Sequence, residues 1–347
     1  MKIINALMLI AAIGLPTSGQ WTPQVSPSTA RLRAISVVDD RVAWASGANG
    51  TCLRTTNGGM TWERLAVPDS ADLDFRDVQA FDATTAYLLS IGEGTRSRIY
   101  KTTNGGIGWT LQFMNNDPKA FFDAIAFWDS RSGLCIGDPV DGRFVVMRTT
   151  DGGATWLRAP TEGMPRALEG EAAFAASGTC VTVQGRSNAW FVTGGAAARV
   201  FRSTDRGESW TAAPAPIISG SASRGIFSVA FADEKNGVVV GGDYQKEQEA
   251  LNTAAITRDG GRTWHLSASM PGGYRSCVAY LPGSRGLNLL AVGPSGSDFS
   301  SDRGATWSRV GAEGFHALSF SNSGRAGWAV GENGRIAGYS YERRPNR

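Results

Sequence analysis

The sequence predicts an all-β protein, specifically a seven-bladed β-propeller built of four-stranded antiparallel blades. Two observations support this prediction: a short motif occurs six times, and the copies are regularly spaced. The motif reads Ser/Thr-x-Asp/Asn-x-Gly-x-Thr/Ser-Trp, with Gly108 replacing the hydroxyl residue in the second copy. Its tryptophans are Trp62, Trp109, Trp156, Trp210, Trp264 and Trp307, at intervals of 47, 47, 54, 54 and 43 residues. Repeats of about 40 to 50 residues are typical of propeller blades.

Each residue type in the motif has a structural role. The Asp or Asn side chain can hydrogen-bond the backbone that follows it and close a turn, and the Gly tolerates a positive φ. The Trp begins the next strand and offers a large apolar surface to a neighbouring sheet. Because Asp151, Asp205, Asp259 and Asp302 recur at equivalent positions, whereas a catalytic group is needed once, we interpret them as structural.

Each repeat interval contains four short β-rich runs separated by Gly, Asn or Asp, which is the strand count of a propeller blade. In the first unit these runs cover residues 32–38, 42–46, 52–55 and 62–67. The later units are expected to begin at Phe75, Phe121, near Ala172, Ile226, Tyr274 and Phe315.

The two ends of the chain are predicted to share the seventh blade. Only 40 residues follow Trp307, so the chain ends before a fourth strand of that blade can form. Residues 20–24 lie one period before Trp62 and have no inner strands before them. We predict that this segment supplies the missing outer strand, because such closure leaves the ring without a free edge.

The first 19 residues have the composition of a secretory signal, with Lys2, an apolar run over residues 6–15, and small residues up to Gly19. We expect export to the periplasm or the extracellular space, with residues 20–347 forming one monomeric propeller domain. The apolar run is too short to span a bilayer, and no other stretch is long enough. No stable membrane insertion is therefore expected.

Charge and residue counts argue against several functions. The net charge is +3 and the charges are interspersed, which gives no indication of a nucleic-acid or anionic-membrane partner. His265 and His316 are far apart, so no metal site is expected. Glycine motifs for nucleotides are absent, and no cofactor is expected. Four cysteines lie in apolar runs and are expected to be buried thiols, with a disulfide between the second and third as the alternative: Cys52, Cys135, Cys180 and Cys277.

A binding site is expected on the face where the loops into the innermost strands meet the loops between second and third strands. Polar residues at these positions differ from blade to blade, whereas structural positions repeat. The innermost strands offer Arg33, Arg76, Asp77, Asp123, Glu171, Arg224, Tyr274, Arg275 and His316. The loops add Asn49, Glu93, Asp138, Asp141, Arg143, Arg199, Asp243, Tyr244, Glu332, Asn333 and Arg335.

From these positions we predict a ligand-binding set and, if the chain is an enzyme, a catalytic set. The predicted ligand-binding residues are Arg76, Asp77, Asp123, Asp138, Arg143, Arg199, Asp243, Tyr244, Arg275, His316 and Arg335. The catalytic candidates are Asp77, Asp123, Asp138, Glu171, Asp243 and Tyr244. The alternative is a solvated rim with ordinary ion pairs, such as one between Arg76 and Asp123.

The repeated motif is similar to the Asp-box, or BNR, repeat of sialidases, sortilin-type receptors and xyloglucan hydrolases. Seven short blades with Gly-Gly turns and shared termini resemble the photosystem II stability and assembly factor family and its relatives in non-photosynthetic bacteria. That resemblance implies a propeller that binds a protein client and performs no chemistry. It also implies an arginine-rich patch, for which the candidates are Arg33, Arg76, Arg224, Arg275 and Arg335.

Two functions therefore remain open. The first is a binding or assembly module with a protein client, and the second is a carbohydrate-active hydrolase or lyase acting on an oligosaccharide. A glycosidase needs two carboxyl groups about 5 to 10 Å apart across a sugar. A sialidase is disfavoured because the chain has no Phe-Arg-Ile-Pro segment near the first blade and predicts seven blades where that family has six. Xyloglucan hydrolases place their cleft between two propellers, and this chain predicts one.

Overall fold

The computed structural model describes residues 20–160 and 162–340, and these residues form the seven predicted blades. The predicted leader, residues 1–19, lies outside the described residues. Six of the sheets have four antiparallel strands, and the seventh has six because two very short strands are added to its inner edge. The prediction of a seven-bladed propeller is confirmed. No helix in the described part of the chain is long and apolar enough to cross a membrane.

The strands, numbered in chain order, run from the innermost to the outermost position within each blade. Blades 1 to 3 contain β2 (Leu32–Val37), β3 (Ala43–Gly47), β4 (Thr51–Thr55), β5 (Glu63–Leu65), β6 (Asp74–Ala80), β7 (Ala86–Ile91), β8 (Arg98–Thr102), β9 (Thr110–Met114), β10 (Phe122–Phe127), β11 (Gly133–Val140), β12 (Arg143–Thr149) and β13 (Leu157–Arg158). Two short 3₁₀ turns cover Gly94–Arg96 and Glu332–Gly334.

The remaining blades follow the same order. Blades 4 and 5 contain β15 (Val181–Gln184), β16 (Asn188–Val192), β18 (Arg199–Ser203), β19 (Thr211–Pro214), β20 (Ser221–Phe231), β21 (Gly237–Asp243), β22 (Ala254–Thr257) and β23 (His265–Leu266). Blades 6 and 7 contain β24 (Cys277–Tyr280), β25 (Leu289–Gly293), β26 (Gly296–Ser300), β27 (Ser308–Gly311), β28 (Ala317–Phe320), β29 (Gly327–Val330), β30 (Ile336–Ser340) and, as the outermost strand of blade 7, β1 (Gln20–Gln24).

The N-terminal strand closes the ring as the sequence predicts. Strand β1 pairs antiparallel with β30, from Gln20 opposite Ser340 to Gln24 opposite Ile336. Trp21 packs against the rings of Phe315 and Tyr339, with centroids 5.0 Å apart in each case. Both ends of the described chain therefore lie in one sheet. Strand β1 covers the outer edge that β30 would otherwise leave unpaired in blade 7.

Blade 4 differs from the prediction. Its innermost strand is β15, which begins at Val181, so the expected start near Ala172 is wrong. Glu171–Ala172 instead forms β14, which pairs with β17 (Gly194–Gly195), and β17 pairs with the beginning of β20 in blade 5. This extra pairing also explains why β20 begins before the expected Ile226. The intervening residues are mostly Ala, Ser and Gly, and their small side chains allow the backbone to pass through a crowded space.

The repeated motif closes each outer hairpin by side-chain hydrogen bonds. In the third copy, Asp151 Oδ1 accepts a hydrogen bond from the backbone N of Thr155 at 2.9 Å, and Asp151 Oδ2 accepts one from Thr155 Oγ1 at 2.6 Å. Thr149 Oγ1 accepts a further bond from the N of Gly153, whose φ is +78°. The second copy keeps the backbone bond, from the N of Gly108 to Asn104 Oδ1. These turns account for the aspartates without any chemical role.

The motif tryptophans pack at the junctions between blades. Trp109 of blade 2 makes an edge contact with Trp44 of blade 1, with ring centroids 6.2 Å apart. Trp62 meets Trp328 of blade 7 in the same way at 6.4 Å. All four cysteines are buried free thiols, so the disulfide alternative is not observed. The core is therefore a ring of apolar layers between neighbouring sheets, which fixes the geometry of the channel they surround.

Candidate functional site

Five blades place equivalent side chains around one end of the channel. Arg33, Arg76, Asp123, Phe227 and His316 each stand two residues before an apolar residue of their innermost strand. All five line one cavity of about 520 Å³, which we call the upper cavity. Its wall also includes Arg31, Asp138, Phe174, Tyr244, Glu247, Tyr274 and Glu332. Residues that the fold leaves free to vary thus converge on one space.

A segment of blade 4 crosses the channel below this cavity. We call residues 173–179, which connect β14 to β15, the channel segment. Its Ala173 N donates a hydrogen bond to Asp138 Oδ1 at 2.9 Å, and the oxygen of Ala175 accepts one from Arg76 Nη1 at 2.8 Å. Phe174 stacks on Phe227 of blade 5 with ring centroids 4.1 Å apart. The segment therefore contacts blades on both sides of the channel.

The second half of the channel segment anchors it further and lines a separate space. Ser177 Oγ donates to the oxygen of Ser276 in blade 6 at 2.7 Å, and Thr179 Oγ1 donates to Ser228 Oγ in blade 5 at 2.7 Å. Residues 172–176 line the upper cavity, whereas residues 177–179 line a lower cavity of about 500 Å³. The segment thus divides the channel into two chambers.

Asp77 belongs to the lower chamber. Its Oδ2 accepts a hydrogen bond from the N of Ile125 in the next blade at 2.8 Å, and Gly178 of the channel segment lies against its carboxyl group. Burial raises the pKa of Asp77 to about 8, because the charged form would lose its hydration. At neutral pH this carboxyl is mostly protonated, and it joins neighbouring blades to the channel segment.

Positive charge is concentrated on one side of the upper cavity. Arg76 Nε donates to Asp74 Oδ2 at 2.8 Å, and Arg31 Nη2 lies 3.7 Å from the same oxygen. Arg33 has no hydrogen bond or salt bridge within the described residues, and its Nε is buried. Burial and the two neighbouring guanidinium groups lower the pKa of Arg33 to about 10, so it remains charged at neutral pH. Asp74 thus pairs with Arg76 and Arg31, whereas Arg33 has no bonded carboxylate within the described residues.

The neighbouring blade, blade 3, carries two carboxyl groups that also line the upper cavity. Asp123 is 1% exposed, and its Oδ2 has no hydrogen-bond partner within the described residues. Burial, and then the neighbouring Asp138, raise the pKa of Asp123 well above its usual range. Burial also raises the pKa of Asp138 to about 6. The pair therefore carries about one negative charge at neutral pH.

His316 forms a third polar group at the cavity wall. Its Nε2 lies 2.8 Å from Glu332 Oε1, and the side chain is buried. Burial and the charge of Arg33 lower the pKa of His316 to about 4, although Glu332 acts in the opposite direction. The imidazole is therefore neutral near pH 7, and it adds no positive charge to the arginine cluster.

The structure separates the predicted site residues into two groups. Arg76, Asp123, Asp138, Tyr244 and His316 line the upper cavity. The others are engaged elsewhere: Asp77 lines the lower cavity, Arg143 donates to the oxygen of Met164, Arg199 pairs with Glu171, Asp243 with Arg224, Arg275 with Asp298, and Arg335 with Glu313. The ion pair between Arg76 and Asp123, given above as an example of the alternative, is not formed, because Arg76 pairs with Asp74 instead.

Some cavity residues were not expected as ligand-binding residues. Arg31 immediately precedes β2, and Phe174 belongs to the channel segment. Arg33 was expected as an innermost-strand residue and as a candidate for the arginine-rich patch but was left out of the ligand-binding set, although it stands two residues before Ile35, the repeat position that Arg76 and Asp123 occupy. Phe174 carries no such signal, since its location depends on the departure of the chain from blade 4.

Comparison with known proteins shows likeness at the level of the fold. No protein-family model and no curated protein matches the chain. The structure is similar to "YCF48 bound to D1 peptide", with a TM-score of 0.61 and 18% identity over 93% of this chain and 97% of that chain. YCF48 from Cyanidioschyzon merolae gives a TM-score of 0.65 at 18% identity over 92% and 98% of the two chains.

Enzymes are also among the similar structures. The GH74 xyloglucanase from Xanthomonas campestris gives a TM-score of 0.64 at 18% identity, over 92% of this chain and 53% of that chain. This chain thus spans about half of the xyloglucanase. Together these likenesses confirm that the chain is a propeller resembling both the YCF48 type and the GH74 type.

Proposed function

We propose that this chain is a binding propeller of the assembly-factor kind, which holds an extended segment of a client protein in the upper cavity. The observation that carries this proposal is Arg33. Its guanidinium is charged and partly buried, its Nε is fully buried, and it has no counter-charge bonded to it within the described residues. A partly buried charge without a bonded partner is unfavourable, and an anionic group of a ligand would relieve that cost.

The rest of the cavity fits a peptide with apolar side chains beside the anionic group. Phe174 is half-buried and stacks on the buried ring of Phe227, and Tyr244 next to them is 43% exposed. Aromatic surfaces of this kind supply much of the binding energy in peptide and protein interfaces. YCF48, a propeller of similar fold, has a structure with a D1 peptide bound. We further propose that the client is met outside the cytoplasm, from the leader-like composition of residues 1–19.

The arrangement of carboxyl groups supports binding over carbohydrate hydrolysis. Glycosidases require two carboxyl groups on opposite sides of a scissile bond. Of the carboxyl groups predicted as catalytic candidates, only Asp123 and Asp138 line the upper cavity, and they come from adjacent strands of one blade. Glu247 and Glu332 also line this cavity, and Glu332 is bonded to His316. Asp123 and Asp138 both accept hydrogen bonds from the channel segment, at the N of Ala175 and the N of Ala173. One oxygen of each carboxyl group is thus occupied by a backbone N–H of the channel segment.

The proposal is tested with short acetylated peptides that carry either a free or an amidated C-terminus, measured by isothermal titration calorimetry. We expect the free carboxylate to bind more tightly, and Arg33→Gln to weaken that binding about tenfold, which corresponds to roughly 1.4 kcal/mol. Arg64→Gln is the matched control, because Arg64 is exposed on the outer strand of blade 1. The proposal would be contradicted if the free and the amidated peptide bound the wild type with equal affinity and Arg33→Gln left both affinities unchanged. Release of sugar from an oligosaccharide panel would also contradict it.

A further inference from the structure

Two carboxyl groups in the upper cavity lack a cationic partner. Neither Asp123 nor Asp138 forms a salt bridge within the described residues, although Asp138 is charged over most of the neutral range. Each accepts one backbone hydrogen bond from the channel segment, which leaves one oxygen of each carboxyl without a protein donor. The free Oδ2 of Asp123 is buried in a side chain that is 1% exposed.

The three arginines of the same cavity do not neutralise this pair. Arg76 is held by Asp74 and by the oxygen of Ala175, and Arg31 also lies near Asp74. Arg33 belongs to blade 1, with blade 2 between it and the carboxyl groups of blade 3. A cavity of about 520 Å³ therefore keeps opposite charges on different walls, and a sphere of that volume is roughly 10 Å across. Unpaired charges of both signs in one pocket are complementary to a ligand that carries both signs.

We propose that Asp123 and Asp138 bind a basic side chain, so that the client segment carries a lysine or arginine close to the anionic group held by Arg33. This inference rests on the proposed function, which assigns the anionic group to the arginine side. An extended lysine side chain has a length comparable to the width of the cavity, and its ammonium donates three hydrogen bonds. Its alkyl stem can lie along the rings of Phe174 and Phe227.

A metal ion fits these carboxyl groups less well than an ammonium or guanidinium does. The described residues contain no group of three or more His, Cys, Asp and Glu side chains placed to hold a metal. Calcium and magnesium sites use six or more oxygen ligands, and structural zinc sites use four protein ligands. A single basic group needs only the two oxygen atoms that the pair leaves free.

The test uses two acetylated pentapeptides with free C-terminal carboxylates, identical except that the last residue is lysine or norleucine. Norleucine keeps the stem and removes the ammonium. Binding of each peptide to the wild type and to the double variant Asp123→Asn and Asp138→Asn is measured by calorimetry. Asp141→Asn is the matched control, because Asp141 is an exposed carboxylate of the same blade, paired only with exposed Lys119. Thermal unfolding verifies that each variant is folded.

We expect the lysine peptide to bind the wild type and the Asp141→Asn control at least tenfold more tightly than the norleucine peptide. In the double variant the two affinities should become equal. The wild-type comparison stands even if the double variant does not fold. Equal affinities in the wild type would overturn the inference, and so would a lysine preference that survives in a folded double variant. If the norleucine peptide still binds through Arg33, the proposed function holds without the inference. If neither peptide binds, both fail.

Discussion

One side chain of the N-terminal strand links the two blades that meet where the ring closes, and its contribution to stability can be tested directly. Gln24 Oε1 accepts hydrogen bonds from Trp62 Nε1 of blade 1 at 2.8 Å and from Trp328 Nε1 of blade 7 at 3.0 Å. Both indoles are buried, with 6% and 3% exposure. Gln24→Met keeps the length of the side chain and removes the shared acceptor. Two buried indole donors then have no partner.

The magnitude follows from the cost of an unsatisfied buried donor, which is about 1 to 3 kcal/mol each. Trp156 and Trp264 have buried Nε1 atoms without a hydrogen-bond partner among the described residues, so this fold tolerates such donors, and the low end of the range applies. We therefore expect Gln24→Met to lower the free energy of unfolding by about 2 to 3 kcal/mol.

Urea denaturation measures this difference, and Thr22→Met is the control. Thr22 is exposed on the same strand, so its substitution should change the free energy of unfolding by less than about 0.5 kcal/mol. If Gln24→Met and Thr22→Met unfold at the same urea concentration, Gln24 does not join blades 1 and 7 energetically, and the account of closure is wrong.

Three further predictions concern stability. Trp156→Ala should cost about 3 to 5 kcal/mol in urea denaturation, because a buried indole packed on Phe127 is lost, while peptide affinity of the folded fraction stays unchanged. Asp77 has a pKa of about 8 in the folded protein, compared with an ordinary value of 3.8, so the folded state binds more protons than the unfolded state. The free energy of unfolding should therefore fall as the pH rises from 4 to 8, and Asp77→Asn should make this dependence on pH weaker. Gly178→Ala places a Cβ 2.3 Å from Asp77 Oδ1, whereas Gly283 has a similar positive φ but open space around it. Gly178→Ala should therefore lower the melting temperature more than Gly283→Ala does. An equal decrease in melting temperature for the two variants would argue against contact of the channel segment with Asp77.

The upper cavity was only partly predictable from the sequence. Position in the repeat indicates that Arg76, Asp123 and His316 converge, because equivalent residues of a cyclic fold must face the same axis. The same reasoning fails for Arg275, which the sequence places beside Tyr274 at the start of blade 6. Its guanidinium is fully buried and pairs with Asp298 of the same blade. The position of a charged residue within the repeat does not show whether its side chain forms an ion pair in the folded protein.

The sequence by itself determined the architecture, because its signals are local and repeated. Each motif closes its own hairpin, each motif tryptophan marks one blade, and residues 20–24 occupy the outermost strand position of blade 7. Six copies of the same hairpin motif at blade-length intervals are therefore sufficient to predict the propeller fold.

Only the tertiary structure decided the nature of the channel. The departure of residues 173–179 from blade 4 has no repeat signal, and its contacts reach Arg76, Asp138, Phe227 and Ser276, which are distant in sequence. Whether a charge is paired depends on neighbours contributed by other blades, so the free guanidinium of Arg33 and the unpaired Oδ2 of Asp123 become visible only when the ring is closed. Burial in that ring shifts the pKa values of these groups and so changes the charge that a ligand meets.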